Sequence, residues 1–181
     1  MATTFNVESF KASLANGGAR PNQFAVSLTF PTLINNFGGN AANATARSPF
    51  LVSIAELPGQ TVNPAIVQYR GREVKFAGDR IYAPWTATIL NDTGFTIRKA
   101  LEAWMAGMEG YQTKTGQLTP SLYQTDITVT QLDRNGAELV KYQLRDAFPV
   151  DLSPIGLDFG ANDQISTFTC TWQYQYFLPI V

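Results

Sequence analysis

YRGREVKFAGDRIYAPWTATILNDTGFTIRKALEAW, residues 69–104, strings a hairpin, a strand and an amphipathic helix together with little slack between them. Ala65 to Arg70 and Arg72 to Ala77 are extended runs separated by Gly71, the pattern of a hairpin or bent ribbon with a tight turn. Arg70, Arg72, Lys75 and Arg80 make this the most basic part of the chain. Pro84 to Asn91 reads as a strand with Trp85, Ala87 and Ile89 on one side and Thr86 and Thr88 on the other. A turn at Asn91–Gly94 leads into a helix, with Asp92 or Thr93 placed to accept a hydrogen bond from a free N–H of its first turn. Ile97, Leu101, Trp104, Met105 and Met108 recur at helical spacing, and Gly107 and Gly110 mark the expected end. An apolar stripe of that kind closes one open face of a sheet.

Upstream, the first twenty residues form an arm with an amphipathic segment, Val7 to Leu14, followed by a Gly17-Gly18 break; the expectation is an arm ordered by contact with a neighbour. Phe24, Val26, Leu28 and Phe30 alternate with Ala25, Ser27 and Thr29 as a half-buried strand. Residues 31–48, rich in Asn, Ala and Gly without periodicity, are expected to be a loop insertion. Phe50, Val52 and Ile54 form a second strand ending at the Pro58-Gly59 turn. Downstream, Tyr123, Ile127 and Val129 alternate with Gln124, Asp126, Thr128 and Thr130. Asp133-Arg134-Asn135-Gly136 is a hairpin signal, and Val140, Tyr142 and Leu144 lead the return. Pro149 and Pro154 predict an irregular crossing or an edge over 146–160. The last strand, the longest expected, sets Phe168, Cys170, Trp172, Tyr174 and Tyr176 against Thr167, Thr169, Thr171, Gln173 and Gln175. The sum is a mainly β chain: an antiparallel β-sandwich or barrel with one flanking α-helix, in a single domain spanning 1–181.

The 181 residues suffice to bury a core. With 15% charged residues and a formal net charge of -1, the composition fits equally an ordinary soluble domain with a quiet surface and a subunit whose faces are covered by neighbours, since net charge near zero promotes association. Histidine is absent and Cys170 is the one cysteine, which excludes an internal disulfide, a Cys/His zinc site and Ser-His or Cys-His catalysis. Cys170 reads as a small buried apolar group. The carboxylates Asp92, Glu102, Asp126 and Asp163 are scattered rather than paired, so no catalytic constellation, cofactor site or metal site is expected. Met1 to Phe5 lack the basic start and apolar run of a secretion signal, and no stretch reaches the ~18 apolar residues of a membrane helix. The chain is thus expected to fold in the cytoplasm.

GREVKFAGDR, residues 71–80, and PWTATILND, residues 84–92, followed by a helix holding Trp104, resemble the tail tube proteins of contractile-tailed bacteriophages. The leader Ala19-Arg20-Pro21-Asn22-Gln23-Phe24 and the Leu57-Pro58-Gly59 turn fit the same family, so the resemblance covers most of the chain. It implies the tube fold shared with type VI secretion and related injection machines. It also implies six-membered rings stacked head to tail inside a contractile sheath, with baseplate and tail terminator proteins as further partners. The implied place is the tail of the virion, assembled in the host cytoplasm, with double-stranded DNA passing down the lumen.

The rows of Thr and Gln suit such a conduit. DNA carries one negative charge per roughly 1.7 Å of axis, and every phosphate neutralised by Lys or Arg is a bond to undo before the DNA moves. A wall that lets DNA slide should avoid cations, whereas a DNA-binding chain would show a basic stripe. Thr167, Thr169, Thr171, Gln173, Gln175, Thr128 and Thr130 are therefore the candidate lumen-facing row. Arg70, Arg72, Lys75 and Arg80 are the candidate contact between rings, together with the 31–48 loop. A barrel of about eight strands is filled by its own side chains and a channel needs ~16 or more, so one subunit cannot enclose DNA. If six subunits lend about four strands each, as the resemblance implies, the lumen is wide enough. Two readings compete: a baseplate tube initiator or terminator, or the tube subunit of a secretion or injection machine, all of the same fold; and a small-ligand barrel lined by Phe168, Trp172, Tyr174 and Tyr176.

Overall fold

The computed structural model describes residues 6–14, 18–111, 116–117 and 119–180. Gly17 of the expected break and Met1 to Phe5 lie outside the described residues. The strands are β1 (Phe24–Leu28), β2 (Val52–Ala55), β3 (Gln60–Tyr69), β4 (Arg72–Tyr82), β5 (Trp85–Leu90), β6 (Thr125–Leu132), β7 (Glu138–Leu152), β8 (Thr167–Gln173) and β9 (Tyr176–Pro179). All pair antiparallel. One sheet runs β1-β6-β7-β8-β5-β2 with β9 added to β7, and β3 with β4 makes a separate two-stranded sheet. Strand β7 belongs to two walls: its first half pairs with β6 and β9, its second half with β8. The sheet thus folds over on itself, and the inward rows of both walls meet in one core of Val26, Leu28, Ile127, Val129 and Leu144 against Trp85, Ile89, Phe168 and Trp172.

Alternation on β5 dictates its role. Trp85, Ala87 and Ile89 are buried and sit opposite Trp172, Cys170 and Phe168 of β8. The two tryptophan rings lie 5.1 Å apart at a 44° tilt. The candidate ligand-lining residues Phe168, Trp172 and Tyr174 are thereby part of the packed core, while Tyr176 lies on β9 and is 40% exposed. The last strand is not the longest: β8 stops at Gln173, the chain bends, and β9 crosses to the other wall. The longest is β7, which runs through Pro149 to Leu152 along an edge that β6 has left, and the expected irregular stretch follows from 153 to 160. The register slips between Pro149 and Asp151, and β6 has already ended opposite Ala147. The missing N–H therefore falls at a bulge beside an unpaired edge, where proline is tolerated.

The helix of the opening stretch is α3, Thr96–Met108. Trp104 is 1% exposed, packs edge-on to Phe30 with ring centroids 5.6 Å apart, and donates its Nε1–H to the Tyr123 carbonyl at 2.7 Å. Gly107 is the penultimate residue of the helix and Gly110 follows its C-cap Glu109, so the two bracket its end as expected. A Cβ at Gly107 would come within 2.8 Å of the Leu33 side chain, so glycine lets the helix approach the neighbouring turn.

Asp92 anchors the start of α3. Its carboxylate accepts the Thr96 N–H at 2.7 Å and the Thr96 hydroxyl at 2.6 Å, and Arg47 pairs with it at 2.7 Å. The Thr96 hydroxyl, joined by the Thr96 N–H and by Arg47, holds this carboxyl below the ordinary aspartate range against the opposing effect of burial. A depressed acid stabilises the fold above its unfolded pKa of about 3.9 and loses that contribution as pH falls below it. Asp92→Asn is expected to cost up to about 1 kcal/mol at pH 7, by removing the charge that Arg47 and Thr96 engage. Urea unfolding should show the gap between wild type and variant closing below about pH 3.5; a gap independent of pH would mean that the charge is idle.

Residues 31–48 are not a loop, and α3 is not the one helix. Thr32–Phe37 forms a 3₁₀ helix and α2 spans Ala41–Leu51, joined by the shorter α1 (Val7–Ser13) and α4 (Pro120–Tyr123). Asn40 caps α2 by accepting the Asn43 N–H at 3.0 Å. Its buried residues are Ala41, Ala44 and Ser48, a stripe too small to register as hydrophobic periodicity. Ser48 Oγ accepts the Leu28 N–H at 3.0 Å and Thr45 Oγ1 the Phe30 N–H at 3.1 Å. Two hydroxyls of α2 thus cover the open edge of β1 as a neighbouring strand would. Ser48 also donates to the Thr45 carbonyl at 3.0 Å, the acceptor that Pro49 cannot serve. The second strand accordingly starts at Val52, and Phe50, in the last turn of α2, is 84% exposed.

Candidate functional site

Among the described residues, strands β3 and β4 pair only with each other, and every residue from Gln60 to Ile81 is exposed. An isolated two-stranded ribbon is marginal in water. Its turn takes Arg70 and Gly71 into the left-handed region, φ 47° and 80°, the geometry that matches strand twist in a two-residue hairpin. Near its base the register slips between Val62 and Pro64; a Cβ at Gly78 would stand 2.6 Å from the Asn63 carbonyl oxygen, so the bulge requires glycine.

The register sorts the ribbon into two unlike faces. Ala65, Val67 and Tyr69 lie opposite Phe76, Val74 and Arg72, giving a nearly continuous apolar face. Ile66 and Gln68 lie opposite Lys75 and Glu73 on the other. The four candidate cations are therefore not one patch: Arg72 borders the apolar face, Lys75 stands on the polar one, Arg70 is in the turn, and Arg80 pairs with Val62 beyond the bulge. What sequence reasoning missed is the apolar face itself. Its signal was present in the alternation of 65, 67, 69 with 74 and 76, hidden by the cations between them.

The seven residues of the candidate polar row divide between two walls. Thr167, Thr169, Thr171 and Gln173 of β8 share an outward face with Thr86 and Thr88 of β5, Ile54 of β2 and Asp151 of β7. Thr86 and Thr171 touch hydroxyl to hydroxyl at 3.2 Å. Among the described residues, no Lys or Arg stands in that row. Thr128 and Thr130 belong to β6, paired with Gln143 and Lys141 on the opposite wall, and Thr130 is buried at 6% exposure. Gln175 sits in the bend between the walls, its N–H donated to the Arg145 carbonyl at 3.0 Å. Both walls turn their apolar rows toward the common core, so their polar rows point away from each other.

The β6 wall is the more charged. Asp126 accepts from Arg145 at 2.6 Å and from Gln143 at 2.9 Å, with the Asp146 N–H at 3.3 Å, and Lys141 pairs with Glu138 at 3.1 Å. Asp126 thus finds its arginine within its own chain. It pins β7 where Asp146, at φ 56°, turns the strand from one wall into the other. Cys170 is buried, and desolvation pushes its thiol well up, which suits packing and not nucleophilic chemistry. No group of His, Cys, Asp or Glu among the described residues is placed to hold a metal ion, and no helix is long and apolar enough to cross a membrane.

A family model described as phage tail tube protein matches residues 19–179. A tail tube protein of Serratia phage KSP90 is 25% identical over 170 residues, covering 93% of each chain. Tail tube protein gp19 of Enterobacteria phage T4 is 26% identical over 159 residues, covering 87% of this chain and 90% of that one. Among solved structures, the sheath–tube complex of an extracellular contractile injection system in its extended state contains a chain that superposes with a TM-score of 0.61 at 15% identity. It covers 99% of this chain and 98% of its own, and shows a shared fold.

Proposed function

The chain belongs to the phage tail tube protein family, and from that premise we propose that it assembles into six-membered rings, stacked head to tail into a hollow tube that conducts double-stranded DNA while a surrounding sheath contracts. The observation that carries the self-assembly is the β3–β4 ribbon, whose Val67, Tyr69, Val74 and Phe76 stand in water on a two-stranded sheet to which no third strand is added among the described residues. An apolar face of that kind calls for a partner, and a head-to-tail contact made by it does not close, so it builds a filament. The ribbon is the contact between rings in this reading, with Arg72 at the margin of the apolar face and Arg70, Lys75 and Arg80 around it.

The lumen wall is the sheet β7-β8-β5-β2, with Thr167, Thr169, Thr171 and Gln173 facing the DNA. It offers four strands per subunit, so six subunits exceed the ~16 needed for an open channel, and its row lacks the cations that would hold phosphates. Thr128 and Thr130 then face away from the lumen. The partners are the sheath, baseplate and tail terminator proteins, and the site of action is the virion tail after assembly in the host cytoplasm. The role is structural, without substrate or cofactor.

Negative-stain electron microscopy of the concentrated protein, expressed alone, tests the reading. Long stacks of rings with a central hole are the expected result. Single rings that never stack would favour a baseplate initiator, and compact monomers at every concentration would sink self-assembly.

A further inference from the structure

Helix α1 cannot be stable by itself. It has seven residues, Val7–Ser13, and buries none of them, whereas isolated helices shorter than ~12–15 residues are marginal in water. Asn6 caps it by accepting the Ser9 N–H at 2.7 Å. Val7, Phe10 and Leu14, spaced three and four apart, make one apolar stripe, exposed at 68%, 64% and 45%. Lys11 flanks that stripe, one turn on from Val7.

Between β1 and β2, where the two ends of the sheet meet without hydrogen bonding, lies a groove of about 170 Å³. It is lined by Phe24, Ala55, Leu57 and Val129 together with Pro21, Gln131 and Glu56. A cavity of about 150 Å³ lined by apolar side chains accepts one benzene ring. Glu56 and Lys11 enter no ion pair among the described residues. The groove thus offers space for one aromatic ring next to a carboxylate, and the stripe offers one aromatic ring next to an ammonium.

We propose that α1 of one subunit docks on a second copy, with its Phe10 ring in the groove between β1 and β2 and its Lys11 paired with Glu56. This rests on the tube reading. Six residues separate Leu14 from Pro21, a leash of roughly 20 Å when extended, long enough to reach across a subunit boundary. The arm then orders as it docks, and each subunit is strapped to its neighbour by a contact that does not involve the ribbon.

Chemical cross-linking tests the docking, because Cys170 is buried and leaves a silent background. Leu14→Cys and Leu57→Cys proteins, mixed before assembly and treated with a short bis-maleimide, should yield dimers that neither protein yields alone, and the double variant should yield a ladder. Adding Phe10→Asp should cut the cross-link at least tenfold. Tubes without a cross-link, or a double variant bridged only within itself, overturn the docking while leaving the tube standing; wild-type protein that never forms tubes overturns both. Should the cysteine proteins fail to assemble, charge exchange provides the second test: Lys11→Glu and Glu56→Lys each lower tube yield several-fold at low salt, and their combination restores it. Absence of restoration overturns the pairing.

Discussion

Tubes are expected to disappear, and the folded subunit to remain, when Val67 and Phe76 are both replaced by Asp. The two side chains share one face of the β3–β4 ribbon and are 52% and 58% exposed. Fully burying a Val or a Phe contributes about 1.5–3 kcal/mol each, and roughly half of each side chain is still exposed in the subunit, so loss of both removes roughly 1.5–3 kcal/mol from every contact that covers this face. Not all of that appears as affinity, since docking also orders side chains. Buried aspartates act in the other direction, each carrying a desolvation cost. A rise of at least ~100-fold in the concentration needed for filaments follows. The ribbon reaches the common core through Tyr82 at its base, while Val67 and Phe76 are not part of that core, so the thermal midpoint should move by less than about 2 °C. Sedimentation of filaments across a dilution series, with a circular-dichroism melt of the same samples, measures both. Filaments at wild-type concentrations would remove the ribbon from the interface, and a melt lowered by more than about 5 °C would make it part of the fold. The double reversal Arg72→Glu/Lys75→Glu should also abolish tubes, with most of the effect from Arg72, because Lys75 stands on the opposite face.

How far the sequence could be read depended on which residues carried its periodicity. Trp85, Ala87 and Ile89 alternate with polar neighbours because β5 has a core on one side only, and α3 shows its stripe because large residues fill it; both were legible. The Asp133–Gly136 turn and the Gly71 hairpin were legible because turn chemistry is local. Helix α2 was not, since it buries Ala41, Ala44 and Ser48 and docks through hydroxyls, so neither its stripe nor its partners look hydrophobic. Pro149 misled only in part. The register does slip beside Pro149 and the chain is irregular from 153 to 160, but the strand continues to Leu152 because the neighbouring strand on its other side has ended. The candidate row of Thr and Gln failed as a group because alternation tells which residues share a face of one strand and says nothing of which wall that strand joins. Only the sharing of β7 between β6 and β8 places Thr128 and Thr169 on different sides.

That division gives the second large effect. Thr169→Arg with Gln173→Arg should convert an indifferent wall into one that holds DNA, without preventing assembly. Both positions are on the outward row of β8, and neither is opposite Asp151, which pairs with Thr171. The Thr86–Thr171 contact is left intact. In the proposed tube two added cations per subunit would recur in every ring, so a DNA segment would meet a column of them. A protein making about 6–10 phosphate contacts loses roughly 10³–10⁵ in affinity between 50 and 200 mM salt. Variant tubes should therefore retain duplex DNA at low salt, release it steeply as salt rises, and slow ejection from particles at least tenfold under the low-salt condition. The control is Thr128→Arg, which adds its cation to the β6 wall and should leave ejection unchanged. Should Thr128→Arg slow ejection while Thr169→Arg/Gln173→Arg blocks assembly, the two walls exchange roles and the charged β6 face becomes the lining. Salt is what separates these outcomes from a trivial defect: a narrowed or distorted channel would slow DNA equally at every ionic strength, whereas a wall that grips phosphates lets go when counterions compete for them.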